Sequence, residues 1–257
     1  KPSATERASL AHHMLDVADP DEDYSAGRFA QQARKVAAGI HDRGRAVLLT
    51  GGTGLYIRAF LDGLVDAGGA NPELRRELEE GQHKAVAEGD PGWLHRKLAA
   101  TEIHPNDERR LVRALEIRSA VGQSAITVRE KHSFSDRPYR VLHLALDVDK
   151  ETLAERIDRR CVAMVEAGLI GEVRALRSRG YDAKLRPMQA IGYRHIQPVV
   201  DGSDTLANAT EAMQRDTRRF AKRQRTWLRA VPEVEWVDPE GRDEIHARVG
   251  RFLEAQG

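Results

Sequence analysis

Cysteine is almost missing from this chain: 257 residues hold one, Cys161. A lone thiol excludes an intrachain disulfide and any zinc site built on several cysteines, and a reducing, cytoplasmic compartment is the expectation. No stretch approaches the about 18 consecutive apolar residues of a membrane-spanning helix, so no membrane partner is expected. Charge of one sign is also lacking. The 41 Lys and Arg offset 40 Asp and Glu and leave +1, so attraction for a polyanion must come from local clustering. No Lys follows a Gly, which excludes a Walker-type phosphate loop within these residues. Gly-x-Ser-x-Gly and His-Glu-x-x-His are absent as well. His12-His13 is the only adjacent pair among ten scattered histidines. Neighbours in a regular element point apart, so no metal site is expected within the chain. There is no internal repeat, and the sequence opens Lys1-Pro2-Ser3 without an initiator Met.

What is present reads as α/β. Residues 24–43 predict a helix: Ser25 caps it, Phe29, Ala33, Val36, Ala37 and Ile40 form an apolar stripe, and Gly44 stops it. AVLLT (46–50) predicts a fully apolar strand of the kind buried in a parallel sheet. It runs into the glycine turn GGTG (51–54) and an apolar segment, 55–64. From 68 to 137 the chain turns polar and helical, with helix starts after Asn71-Pro72, Asp90-Pro91 and Pro105-Asn106. These boundaries predict a core of residues 1–67 and 138–257 carrying an inserted helical subdomain, 68–137. A strand over 139–148 resumes the α/β pattern. Helices over 150–180, 188–199 and 204–230, a short strand over 234–238 and a helix over 241–255 complete it.

Four features carry chemistry, each with a plainer alternative. Gly51, Gly52 and Gly54 allow close backbone approach, and the helix start behind them suits an anion; the alternative is an ordinary tight turn. GGTG is not the dinucleotide fingerprint, since Ile57 stands where its third glycine belongs. Arg160 lies one residue before Cys161 at the edge of an apolar helix face, a candidate anion clamp because a guanidinium stays charged and offers a rigid fork of donors. MQAIGYRH (188–195) joins an aromatic, a cation and Gly192, parts suited to a base and a phosphate or to plain helix packing. In 204–230, Met213, Thr217, Phe220, Gln224 and Trp227 repeat along one face. Arg215, Arg218, Lys222, Arg225 and Arg229 line the opposite one, widened by Arg219 and Arg223. Asp216 is the lone acid of 215–229, so this uncompensated stripe suggests a polyanion partner rather than a solvated face. In 104–117, Asn106 or Asp107 caps a helix with Leu111 and Leu115 inward and Arg109, Arg110 and Arg113 elsewhere.

Six blocks in order, HHMLDVADPDEDYSAGRF (12–29), LLTGGTGLYIRAFLDGL (48–64), HPNDERRLVRALEI (104–117), RRCVAMVEAGLIGEVRAL (159–176), AIGYRH (190–195) and TRRFAKRQRTWLR (217–229), resemble the tRNA dimethylallyltransferases. The resemblance implies a P-loop-type parallel-sheet core with an inserted helical domain. It implies transfer of a dimethylallyl group from dimethylallyl pyrophosphate to the exocyclic amine of the adenosine 3′ of the anticodon, position 37, with Mg2+ assisting. It implies a cytoplasmic enzyme, here expected to be a monomer. Carried over, Thr53 and Arg75 touch tRNA near the reaction channel. Arg109, Arg110, Leu111, Val112 and Arg113 contact the anticodon arm, as do Gln189, Ala190, Ile191, Gly192, Tyr193, Arg194, His195 and Ile196. Gly51, Gly52 and Arg160 bind pyrophosphate, with Arg160 and Thr53 catalytic. The family's first strand, its Gly-Lys-Ser/Thr loop and its Asp-Ser-x-Gln-Val-Tyr segment, which bring the principal metal ligands and the general base, are not in these residues. Lys1-Pro2 is similar to the end of the family's Gly-Thr-x-Lys-Pro. The expectations are therefore apolar sheet surface left exposed and little or no transfer by residues 1–257 alone. The alternatives are a non-catalytic tRNA-binding relative, an adenylate isopentenyltransferase and a P-loop kinase relative. The tRNA-arm insertion argues against the second, and the third lacks acceptor-specificity residues. A prenylation assay on 1–257 tests the expectation of weak transfer; turnover near that of intact family members overturns it.

Overall fold

The computed structural model describes residues 1–64, 71–98, 102–122 and 138–255, and the chain divides into two compact units, 1–60 with 139–257, and 61–138. The expected core–insertion boundaries at 67–68 and at 137 lie outside the described residues. Along the chain run α1 (Ala4–Ser9), α2 (Ala26–His41), α3 (Gly54–Asp62), α4 (Pro72–Ala87), α5 (Trp93–Lys97) and α6 (Glu108–Val121). Then come β1 (His143–Leu146), α7 (Lys150–Glu166), α8 (Leu169–Ser178), a 3-10 turn (Arg186–Gln189) and α9 (Tyr193–Val200), followed by α10 (Leu206–Arg229), β2 (Val234–Val237) and α11 (Arg242–Glu254). The fold is α/β, mostly helical with a small parallel sheet. None of the described helices is long and apolar enough to cross a membrane.

In the first unit, β1 pairs with β2 in parallel, His143 opposite Val234 and Leu146 opposite Val237. A parallel pair needs a long crossover, and α7 to α10 supply it. Ile157 and Cys161 of α7, Leu169 and Val173 of α8, Met188, Ile196 of α9, and Ala209 and Met213 of α10 close one apolar core. Near the N-terminus, Ser25 caps α2 by accepting the Arg28 amide, and its buried residues are the small Ala26, Ala30, Ala33 and Ala37. Arg34 Nε donates to the Phe60 carbonyl at 2.8 Å, and Phe60 stacks on Tyr139 with ring centres 5.0 Å apart.

The second unit has a core of its own: Leu78, Leu94, Leu98, Leu111, Val112, Ala114 and Leu115. Gln82 clips α4 to the start of α5. Its Nε2 donates to the Pro91 carbonyl at 3.0 Å, and its Oε1 accepts the Leu94 amide at 3.2 Å.

Three expectations need correction. Residues 46–50 join no ladder among the described residues, and Leu48 is 82% exposed. An all-apolar strand gains its stability from paired neighbours and covered faces, and none of the described residues supplies them. The expected single helix 150–180 is two, because Gly168 takes φ +102° and starts α8 afresh. The helix expected over 188–199 begins only at Tyr193, after the 3-10 turn.

Gly192 shows which glycine the fold requires. It holds φ +98° and ψ −73°, and an added Cβ would meet nothing nearer than Met213 Sδ at 3.7 Å. Gly192→Ala is therefore expected to lower unfolding free energy through backbone strain alone, by about 1–3 kcal/mol. Gly171→Ala, inside α8 with open space around the new methyl, should raise it by roughly 0.5–1 kcal/mol. Urea midpoints at constant m-value read both signs.

Candidate functional site

Helix α10 organises the candidate residues of the first unit. Thr205 caps it by accepting the Asn208 amide at 3.2 Å, and its buried anchor is Met213, 1% exposed. One turn on, Thr217 Oγ1 donates to the Met213 carbonyl at 2.7 Å and lies 3.8 Å from Cys161 Sγ. Gln214 Nε2 donates to the Asp158 carbonyl at 3.3 Å, and Arg218 pairs with the Asp158 carboxylate. These contacts dock the Asp158–Cys161 turn of α7 onto α10. Arg160 sits within that turn, exposed, with no hydrogen bond or ion pair to any described residue.

Two turns further along the same face, Gln224 Nε2 donates to the Gly52 carbonyl at 3.1 Å. A Cβ at Gly52 would fall 1.8 Å from that nitrogen, and one at Gly54 would fall 2.4 Å from the Trp227 ring. Both glycines are thus needed for the close approach, whereas a Cβ at Gly51 would meet nothing within 4 Å. Thr53, between the two contacts, is exposed, and its carbonyl accepts the Tyr56 and Ile57 amides that open α3. From Thr217 to Gln224 is seven residues, about 10 Å of helix rise. The glycine turn and the Arg160 turn are therefore registered on one rigid rod. Gln224 and Trp227, which sequence periodicity marks only as an inward face, are the residues that hold the glycine turn.

The segment 189–196 is brought to α10 as well. Gly192 N–H donates to His195 Nδ1 at 3.3 Å, which leaves the ring proton on Nε2, 3.2 Å from Asp216 Oδ2. Arg194 Nη2 donates to the same oxygen at 2.6 Å. Both contacts hold the Asp216 carboxyl below its ordinary range, His195 contributing first. The His195 imidazole is itself pushed down, because burial outweighs the favourable Asp216 contact. Tyr193 donates to Glu172 Oε1 at 2.7 Å, and burial with that bond lifts its phenol to about 12. Gln189, Ala190 and Arg194 are exposed, whereas Ile196 is fully buried in the core. As an RNA-touching side chain Ile196 is corrected.

In the second unit, buried Glu116 gathers three donors: Arg75 Nη2 at 2.9 Å, Arg113 Nη1 at 3.3 Å and the Asn71 amide at 3.3 Å. Arg109 and Arg110 are exposed, and Arg110 pairs with Asp107 at 3.4 Å. Asp107, not Asn106, caps α6. Leu111 and Val112 are 1% and 3% exposed in the unit's core; helical periodicity turns them inward, so neither offers a side chain to RNA. No sequence pattern signals Glu116.

The basic stripe of α10 is less bare than its sequence suggests. Arg215 and Arg219 lie on Asp216, Arg218 on Asp158, and Arg225 on Asp147 at 2.9 Å and the Val148 carbonyl at 2.6 Å. Beyond Asp216, the carboxylates Asp158 and Asp147, distant in sequence, supply the missing compensation. Lys222 and Arg229 have no ion pair among the described residues, and Arg223 lies over the Phe220 ring. Among the described residues no group of three or more His, Cys, Asp or Glu side chains forms a metal site.

Comparisons with known proteins agree on one kinship. The family model described as IPP transferase matches residues 1–231. The chain is 41% identical over 259 residues to tRNA dimethylallyltransferase 2 of Syntrophus aciditrophicus, covering 100% of this chain and 83% of that protein. It is 42% identical over 260 residues to tRNA dimethylallyltransferase of Desulfosudis oleivorans, covering 98% and 82%. Among solved structures it is similar to the full-length tRNA isopentenylpyrophosphate transferase of Bacillus halodurans, with a TM-score of 0.68, 36% identity, and 99% and 82% coverage. It is also similar to a eukaryotic dimethylallyltransferase acting on tRNA, with a TM-score of 0.81, 25% identity, and 99% and 68% coverage.

The His195–Asp216 pair sets a pH dependence. The imidazole is lowered in the fold, so below about 6.5 the unfolded chain takes a proton that the folded one refuses. Its stabilising contribution is complete above that pH and fades as pH falls through the lower folded value. Asp216 adds a second loss only below about 3.9, the ordinary carboxylate value. Urea unfolding at pH 7.5 and 5.5 should show a loss of stability for the native chain that exceeds the loss for His195→Gln. Equal losses would contradict the buried neutral imidazole.

Proposed function

Because this chain belongs to the IPP transferase family, we propose that it transfers a dimethylallyl group from dimethylallyl pyrophosphate to the exocyclic amine of adenosine 37 in tRNA. In the reaction the adenine nitrogen bonds to the allylic carbon that bears the diphosphate, the carbon–oxygen bond to diphosphate breaks, and the proton lost from the amine passes to solvent water. Negative charge grows on the departing diphosphate. Arg160 supplies permanent positive charge for it, and electrostatic stabilisation of developing charge commonly carries the largest share of a rate enhancement. The backbone of Gly51 and Gly52 meets the same diphosphate, and the hydroxyl of Thr53 lies toward the tRNA. The observation that carries this reading is the common registration of the two turns on α10, about 10 Å apart along its axis. Arg160 faces outward there without a partner among the described residues, as an anion ligand requires.

Each unit offers candidate tRNA contacts of its own. In the second unit these are Arg75 and Arg113, oriented by Glu116, with Arg109 and Arg110; in the first they are Gln189 to His195. The target base is unstacked to reach the reacting carbon, as base chemistry generally demands. One chain serves one tRNA, in the cytoplasm. Mg2+, which the family resemblance implies, would shield diphosphate charge when bound. The described residues offer it no cluster of three ligands, and the part left to this chain is the Arg160 guanidinium.

The test uses the polypeptide as its gene encodes it, with an unmodified tRNA transcript and dimethylallyl pyrophosphate. Arg160→Ala should lower kcat by about 10²–10³, the range for losing one charge-stabilising donor, and leave tRNA affinity within about threefold. Arg109→Ala and Arg110→Ala should instead raise KM for tRNA and flatten its salt dependence. An Arg160→Ala enzyme as fast as the native one removes the proposed role. Native protein that binds tRNA and transfers nothing would favour a non-catalytic tRNA-binding relative.

A further inference from the structure

Asp216 is the one acid among residues 215–229, a stretch with seven arginines and lysines. If that helix face only attracted a polyanion, a carboxylate at its centre would be a handicap, since it cancels part of the field. Its contacts give it other work. Oδ2 accepts from Arg194 Nη2 at 2.6 Å and from His195 Nε2 at 3.2 Å, while Oδ1 accepts from Arg219 Nη1 at 3.3 Å. Arg194 and His195 open α9, whereas Asp216 lies midway along α10. One carboxylate therefore ties the start of one helix to the flank of another. The tie is specific: Gly192 N–H occupies His195 Nδ1, so the imidazole presents its only proton to Asp216. Arg194 remains charged, its fork held at one end by the carboxylate and its side chain 40% exposed, which leaves donors accessible to a ligand.

Resting on the reading of this chain as a tRNA prenyltransferase, we propose that Asp216 is a positioning residue for tRNA, aiming the Arg194 guanidinium and the Gly192–His195 backbone at the anticodon arm. The two physical effects of the residue then oppose each other. Removing the carboxylate strengthens the long-range pull on RNA by one charge, yet it frees Arg194 and lets the imidazole reorient. At contact distance orientation dominates, because a charge-assisted hydrogen bond outweighs one screened charge in a stripe of seven.

The sign of one measurement decides this. Binding of an unmodified tRNA transcript is followed at physiological salt for the native protein, Asp216→Asn and Glu211→Gln. Glu211 is exposed on the same helix, so both variants gain one positive charge. Asp216→Asn should bind about tenfold more weakly, the order of one charge-assisted hydrogen bond, with KM for tRNA raised and kcat within about twofold. Glu211→Gln should bind as tightly as the native protein or tighter. An Asp216→Asn protein that binds as well as or better than native overturns the proposal while the native binding leaves the functional reading intact. Native protein that ignores tRNA overturns both. If Asp216→Asn does not fold, Arg194→Lys carries the test: the residue is exposed and keeps its charge but loses the planar fork. A loss of about fivefold or more supports the held guanidinium, and unchanged affinity overturns it.

Discussion

The seating of the helix Leu206–Arg229 against its neighbours is the constraint on which the candidate site depends. Met213 and Thr217 fix the Asp158–Cys161 turn, and Gln224 and Trp227 fix the glycine turn at 51–54. A helix is stiff and its rise is constant, so two loops distant in sequence acquire a defined spacing without touching each other's backbone. The close approach at Gly52 and Gly54 follows from the same demand. Nothing larger fits beneath a carboxamide and an indole already pinned to the rod.

Charge is used for aiming more than for holding the fold together. Exposed ion pairs contribute about 0–1 kcal/mol each, too little for the pairs at Asp147, Asp158 and Asp216 to act as the main source of stability. What each carboxylate does is choose one orientation for a long cationic side chain that water would otherwise leave free. Glu116 does the same in the second unit from a buried position, where losing its partners would cost far more than an exposed pair. Arg160 departs from this pattern, being an exposed arginine without a partner among the described residues.

Much of this was legible in the sequence because it depends on period and capping. The helical stripe expected over 204–230, the Ser25 cap and the existence of strands within 139–148 and 234–238 follow from local pattern alone, though not the parallel pairing of those strands. The glycine turn and Arg160 stand out in the sequence as candidates, because small residues allow close backbone approach and a guanidinium keeps its charge. The rest depends on long-range pairing, which no local window contains. Asp158 compensating Arg218 across sixty residues, or Glu116 gathering Arg75, has no spacing rule. Residues 46–50 mislead for a related reason: their apolar run encodes a buried strand, and a strand exists only with partners. Leu111, Val112 and Ile196 mislead differently, because the blocks that carry the family resemblance also contain the residues that pack their own helices.

The second unit's separate apolar core has a consequence for how such a chain can vary. Leu78, Leu94, Leu98, Leu111 and Leu115 satisfy one another without the residues that build the other core. Substitutions on the outer faces of residues 71–98 and 102–122 can therefore accumulate, and loops there can lengthen or shorten, while the geometry around Thr53 and Arg160 stays as it is. Each unit can thus change its surface without unsettling the packing of the other.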